Sequence, residues 1–235
     1  MPQRWSNNAV IRRKQIETGI DLTFNNVFKP IFIECIAKLA PRSILEIGAG
    51  TGHLSKELSG QGYQITAIEP SQGMFKIAEE VLFGSNVILI NCSSFELQSQ
   101  QKYDLALSHL VAHVVDDLNG FLSSIALQLI SGGHYIFSIP HPCFYNDYKK
   151  IFATEYNYMS PLTKNISFKI TKDELNEISG VPYHHRPLST YINSITKAGI
   201  TINSFDEIYP AAEIQKQYGS TWETPRYCMF TCSKH

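Results

Sequence analysis

The chain has 235 residues, 43% of them hydrophobic and 17% charged, with twenty basic against twenty-one acidic residues and a formal net charge of -1. That length supports one domain with one substantial core, and the balance of charge excludes the large positive field that gathers nucleic acid or anionic lipid. No stretch approaches the ~20 apolar residues needed to cross a bilayer, and the N-terminal MPQRWSNNAVIRRKQIE lacks the apolar centre of a signal peptide. A cytoplasmic protein without membrane contact is expected. The five cysteines, at 35, 92, 143, 228 and 232, are scattered through different segments, which argues against a disulfide framework. Cys228 and Cys232 share one face of a strand and read as packing residues, and no metal site is expected.

Residues 9 to 40 have helical periodicity, with Val27, Phe28, Ile31, Phe32, Cys35, Ile36 and Leu39 forming an apolar stripe that ends before Pro41. Within the single domain of 1–235, residues 1–40 are thus an N-terminal helical segment. Strands and helices then alternate. Strands are predicted at Ser43 to Ile47, Tyr63 to Ile68, Val87 to Ile90, Tyr103 to Ser108 and Gly133 to Ile139. Helices are predicted after Gly52, at Met74 to Phe83 and at Leu118 to Ile130. This spacing means right-handed crossovers and a mostly parallel sheet covered on both faces.

After Pro140 the alternation breaks. Residues 141–187 carry prolines and a dense aromatic run from Phe144 and Tyr145 to Tyr158, and read as a lid or substrate-cap insertion; a small secondary core is the other reading. A helix near Leu188 to Ala198 and a strand near Ile200 to Ile208 follow, then a β-rich segment from Arg226 to Cys232. The link from Tyr209 to Pro225 is too short and polar for a crossover helix, which favours an antiparallel closing pair.

Chemistry concentrates at the first turn of the sheet. Gly48, Gly50 and Gly52 stand at relative positions 1, 3 and 5, whereas a dinucleotide fingerprint needs glycines at 1, 3 and 6; here His53 is sixth. No Lys-Ser/Thr pair follows, so a phosphate-cradling loop fails as well. Glu46 precedes the first glycine by two residues, and Glu69 ends the second strand, where an acid can accept both hydroxyls of a ribose. Two acids at the tips of adjacent strands suit a cationic ligand made of a nucleoside and an amino-acid tail.

Leu45-Glu46-Ile47-Gly48-Ala49-Gly50-Thr51-Gly52 and Ile68-Glu69-Pro70-Ser71-Gln72-Gly73-Met74 resemble the first two motifs of the class I S-adenosylmethionine-dependent methyltransferases. The likeness extends to about Cys232. Narrower stretches, Phe137 to Phe144 and His185 to Tyr191, resemble a bacterial small-molecule branch of type 11 methyltransferases. The resemblance implies a Rossmann-like α/β fold, a seven-stranded mixed sheet of order 3-2-1-4-5-7-6 with strand 7 antiparallel, and helices on both faces. It implies S-adenosyl-L-methionine as cofactor and S-adenosyl-L-homocysteine as product. It further implies cofactor contacts at Glu46, Gly48, Ala49, Gly50 and Gly52, at Glu69, Pro70 and Met74, at Cys92 and Ser93, and at Ser108. Asn91-Cys92-Ser93 departs from the family's usual acid after the third strand.

The reaction so implied is methyl transfer to an oxygen or nitrogen of a small molecule by in-line displacement, aided by a histidine base. His141 follows the fifth strand, where ligands collect in open α/β folds; it suits either the base or an organiser of the lid. His113, beyond the fourth strand, is the second candidate base, or a helix start. His109, Phe144, Tyr145 and His185 are expected to contact the acceptor. Two other functions compete: a methyltransferase acting on RNA or protein, and a non-catalytic S-adenosylmethionine-binding module. Neutral charge, and Ser108-His109-Leu110 in place of an Asn-Pro-Pro-Tyr-type base pocket, disfavour nucleic acid; the retained glycines and second acid disfavour a non-catalytic module.

Overall fold

A computed structural model describes residues 2–152 and 156–235. Residues 153–155, within the expected insertion, and Met1, in the N-terminal segment, lie outside the described residues. The chain opens with α1 (Pro2–Ser6), α2 (Ala9–Glu17), a π-helical turn (Thr23–Phe28) and α3 (Lys29–Leu39), which ends where Ala40 turns left-handed before Pro41.

The sheet comprises β1 (Ser43–Ile47), β2 (Gln64–Ile68), β3 (Ile88–Ile90), β4 (Tyr103–His109), β5 (Leu129–Pro140), β8 (Ile200–Ile208) and β9 (Tyr227–Lys234), in the order β3-β2-β1-β4-β5-β9-β8. The first five are parallel, and β9 runs antiparallel to both neighbours. This is the topology implied by the resemblance, with β8 and β9 as its sixth and seventh strands. Between the strands run α4 (His53–Gly60), α5 (Gln72–Val81), α6 (Leu118–Gln128) and α8 (Leu188–Lys197).

Strand alternation divides the core between the two faces of the sheet. Ile44, Leu105, Leu107 and Ile136 pack with Phe28, Phe32 and Ile36 from the N-terminal helices and Leu54 and Leu58 of α4. Leu45, Ala106, Tyr135 and Phe137 pack with Phe121, Leu122 and Ile125 of α6 and Tyr191 and Ile195 of α8. On that second face Tyr135, Phe137 and Phe230 stack in sequence, with centroids 4.9 and 4.8 Å apart. Cys228 and Cys232 are fully buried there as packing residues.

Several elements differ from expectation, among them β5, which starts at Leu129 rather than Gly133, and α5, which spans Gln72–Val81 rather than Met74–Phe83. α6 stops at Gln128 rather than Ile130, because Leu129 is already extended and Lys234 Nζ binds the exposed carbonyls of Ala126 and Leu129. A seven-residue helix, α9 (Ala212–Tyr218), occupies the link thought too polar for one, yet the strands it joins remain antiparallel. The segment after Pro140 contains α7 (Tyr145–Lys149) and a long hairpin, β6 (Leu162–Ile170) and β7 (Asp173–His185), which forms a sheet of its own. Among the described residues no helix is long and apolar enough to cross a membrane.

The N-terminal helices and the hairpin are tied to each other. The Asn8 amide donates to the Ser179 carbonyl and accepts from the Ser179 N–H, both at 3.0 Å, and Gln15 donates to Asp173 at 3.0 Å. α1 rests on α5 at Gly73, where an added Cβ would lie 2.6 Å from the Ser6 Cα and carbonyl oxygen. Gly73→Ala improves the intrinsic helix propensity of α5 by roughly 1 kcal/mol but leaves no room for α1. The variant is expected to keep a near-wild-type unfolding midpoint while trypsin cleaves after Arg4 several times faster, as followed by mass spectrometry.

Candidate functional site

A cavity of about 300 Å³ opens at the carboxyl ends of β1, β2 and β4, where crossovers leave in opposite directions and ligands collect in open α/β sheets. Its floor is the loop from Gly48 to Thr51, with Glu46 before it and Glu69 and Pro70 beside it. Gly48, Gly50 and Gly52 all have positive φ, between 58° and 78°. This left-handed geometry favours glycine. A Cβ on Gly48 would also collide with Val111, at 2.6 Å. The N–H groups of Gly48 and Ala49 both donate to the Ile68 carbonyl, which folds the loop across the end of β2.

The two acids are held in different ways. Glu69 spans the loop: one oxygen accepts from the Gly50 N–H at 2.8 Å and the other from the Ser71 N–H at 2.7 Å. Its carbonyl accepts from the Asn91 amide at 2.7 Å, which ties the turn after β3 to β2. Glu46 accepts from the Ser55 hydroxyl in the first turn of α4. The acids are 3% and 6% exposed, and neither has a cationic partner among the described residues. Burial raises both pKa values to about 7, against the lowering pull of the Ser55 hydroxyl on Glu46 and of the two N–H groups on Glu69. A bound cation would supply the missing opposite charge, so the donor set fits the amino-acid tail and nucleoside of S-adenosylmethionine.

β4 delivers two histidines. His109 Nδ1 lies 2.8 Å from Ser138 Oγ, with its ring among Phe24, Phe28 and Phe32. His113 packs on Tyr183 with centroids 5.1 Å apart, and its buried Nδ1 has no hydrogen-bond partner. Burial, reinforced for His113 by the nearby Arg186, pulls both pKa values down to about 3, so both rings are neutral at pH 7. Arg186 clamps the loop that carries His113 by donating to the carbonyls of Ala112, Val115 and Asp116. The His184 N–H donates to the His113 carbonyl at 2.8 Å.

Of the residues singled out from sequence, the cavity gathers Glu46, Gly48, Ala49, Gly50, Glu69, Pro70, Met74, Cys92, Ser93, His109, His113 and Tyr145. Five lie elsewhere. Gly52 starts α4 with its α-carbon turned toward Ala78 and Leu82 of α5. Ser108 points to the opposite face of β4, where it pairs with the Tyr135 hydroxyl at 2.7 Å. His141 is 1% exposed and has both nitrogens engaged, Nδ1 by the Cys143 N–H and Nε2 by Glu207 at 3.0 Å. It therefore organises the turn rather than facing the cavity, and Phe144 packs on its ring outside the site. His185 donates to the Tyr158 carbonyl at 2.9 Å among Phe152, Tyr156 and Tyr158.

Sequence reasoning expected a cap from residues 141–187 but did not name the residues that form the roof. Trp5, Arg12, Ile16 and Phe24 close the cavity from the N-terminal side, and Ile166, Phe168, Ile170, Val181 and Tyr183 close it from the hairpin. The period-two spacing of 166, 168 and 170 was the available signal.

Residues 45–137 match the family model of a methyltransferase domain. A malonyl-[acyl-carrier protein] O-methyltransferase from Acetivibrio thermocellus is 35% identical over 97 residues, covering 40% of this chain and 34% of that protein. The chain spans about one third to three fifths of the length of the first curated relatives it matches. Among solved structures, an S-adenosylmethionine-dependent methyltransferase from Clostridium acetobutylicum superposes with a TM-score of 0.68 at 16% identity, covering 95% of this chain and 99% of that one. The 1,6-didemethyltoxoflavin-N1-methyltransferase of Burkholderia thailandensis gives 0.61 at 16% identity, covering 96% and 86%. At these identities the solved structures establish the fold.

A carboxylic acid whose pKa is raised by folding contributes stability below its unfolded value, near 4.5, and loses it as the pH rises through about 7. Glu46→Gln removes that penalty. It is expected to stabilise the ligand-free chain by on the order of 2 kcal/mol at pH 8, a gain fading toward pH 4.5, as measured by urea unfolding.

Proposed function

From a chain with the class I S-adenosylmethionine-dependent methyltransferase fold and a methyltransferase domain at residues 45–137, we propose an enzyme that transfers a methyl group from S-adenosylmethionine to a nitrogen or oxygen of a small molecule. The observation that carries this reading is the pair of buried acids, Glu46 and Glu69, without a cationic partner among the described residues and flanking a loop of left-handed glycines. Glu69 suits the ribose hydroxyls, and its present partners, the N–H groups of Gly50 and Ser71, keep its oxygens at the cavity wall. Glu46 suits the cationic tail. Pro70, Met74, Cys92 and Ser93 line the remainder of the nucleoside side.

When bound, S-adenosylmethionine supplies a methyl group already activated by its sulfonium. The protein's own part is alignment, exclusion of water and disposal of one proton. Alignment of reacting groups is worth up to roughly 7–11 kcal/mol of barrier. The roof of N-terminal helices and hairpin keeps water out, in which residues 141–187 act as the acceptor cap. His113 is the base: its neutral ring lines the cavity, and its cavity-facing nitrogen takes the proton as the nucleophile becomes acidic during bond formation. His141, with both nitrogens engaged, holds the cap's first turn. Relatives and neighbours include methyltransferases named for O- and N-methylation, and the neutral charge and enclosed site favour a small acceptor over RNA or protein. All five cysteines are free, which suits the reducing cytoplasm.

Titration calorimetry is expected to give S-adenosylmethionine binding that Glu69→Ala weakens at least ~30-fold, the scale of losing a charged partner to a buried site. With labelled methyl donor and a metabolite extract, His113→Ala should slow product formation about 10²-fold at nearly unchanged cofactor affinity. His141→Ala should lower the unfolding temperature instead. Absence of cofactor binding by the wild-type chain contradicts the proposal.

A further inference from the structure

The half of the cavity away from the glycine loop has a chemistry of its own. The hairpin turns apolar residues inward, with Ile166, Phe168 and Ile170 at alternate positions of β6 and Val181, Pro182 and Tyr183 from β7. The charged side chains lining this side are spent on each other. Arg12 bridges to Asp21 at 2.6 Å and donates to Gln15 at 2.7 Å, while the other Asp21 oxygen accepts from the Phe24 N–H at 3.0 Å. Among the described residues a charged acceptor would find no free counter-ion in this half, and burying an unpaired charge is among the largest penalties available.

Two imidazoles, those of His109 and His113, line this wall. His113 is 9% exposed and lines the cavity, and neither ring nitrogen has a hydrogen-bond partner among the described residues. An imidazole nitrogen so placed in a neutral ring is satisfied by a donor arriving with the ligand, and its isolation otherwise costs about 1–3 kcal/mol. Around it the wall is rich in ring faces: Phe24, Tyr145, Phe168, Tyr183 and Tyr227. Such surfaces pack flat rings better than branched or puckered ones.

Resting on the methyl-transfer reading of this site, we propose that the acceptor is an uncharged, flat aromatic or heteroaromatic molecule. It lies under the β6–β7 hairpin with the N–H or O–H of its nucleophilic atom donated to the cavity-facing nitrogen of His113. The hairpin face selects for the ring, and His113 selects which edge of it turns inward.

Four probes of one shape class test this on the full chain loaded with S-adenosylhomocysteine, by NMR titration. They are 2-naphthol, 2-methoxynaphthalene without the donor, 2-naphthoate with a charge, and decahydro-2-naphthol without the flat ring. The expected order has 2-naphthol binding about tenfold more tightly than each of the others, the scale of one buried hydrogen bond. His113→Ala should abolish the preference over 2-methoxynaphthalene, retain that over 2-naphthoate and leave S-adenosylhomocysteine affinity within about twofold; His113→Asn, which restores an acceptor oxygen, should recover part of it. Equal affinity for the four probes, tighter binding of the anion or the saturated ring, or no probe binding by a chain that holds S-adenosylhomocysteine overturns the proposal. A chain that fails to hold S-adenosylhomocysteine removes the methyl-transfer reading itself, and this inference with it.

Discussion

Glu46 and Glu69 stand at the tips of adjacent parallel strands, shielded from water and held by a serine hydroxyl and two backbone N–H groups rather than by a cation. Much of the site follows from keeping them there. Parallel pairing of β1 with β2 aligns Glu46 with Ala67 and Ile47 with Ile68, which brings Glu69 beside the first turn. The chain must then reverse over β2 within a few residues, and it does so by directing the N–H groups of Gly48 and Ala49 at the Ile68 carbonyl and that of Gly50 at Glu69. Left-handed backbone at Gly48 and Gly50, with Val111 against the first, leaves little choice of residue. The acids oppose folding once ionised and favour a cationic ligand for the same reason, so stability and binding draw on one electrostatic imbalance.

Enclosure completes that arrangement. The N-terminal helices and the β6–β7 hairpin reach the cavity from distant parts of the sequence and meet through the Asn8 amide and the backbone of Ser179. Together they hold water away from the acids and from His109 and His113, whose neutrality has the same cause as the raised pKa of the glutamates. One roof thus keeps the bases uncharged and the acids short of a counter-ion.

The sheet was legible because its strands are short apolar runs bounded by turn residues, and because glycines at positions 48, 50 and 52 with acids at 46 and 69 leave few alternative chemistries. Local spacing fixes which loop a residue belongs to, but tertiary pairing decides which way its side chain turns. Ser108 and His109 are neighbours on β4; one faces Tyr135 in the core and the other faces the cavity. His141 follows the strand end that open α/β folds use for ligands, yet Glu207 arrives from β8, 66 residues later, and takes its free nitrogen. No local pattern announces that partner. The hairpin was hidden for a different reason: the prolines and aromatic residues of 141–187 masked the shorter alternation at Ile166, Phe168 and Ile170.

Glu46 and Glu69, both buried and about half-protonated at neutral pH, ionise when they receive the cationic cofactor. Titration of S-adenosylmethionine at pH 6.5 in buffers of different ionisation enthalpy counts the protons that binding displaces. Release of between one and two protons per ligand is expected, with affinity that rises several-fold from pH 6 to pH 8, since both glutamates titrate near 7 in the empty site. Binding with no proton release and no dependence on pH across that range would contradict it.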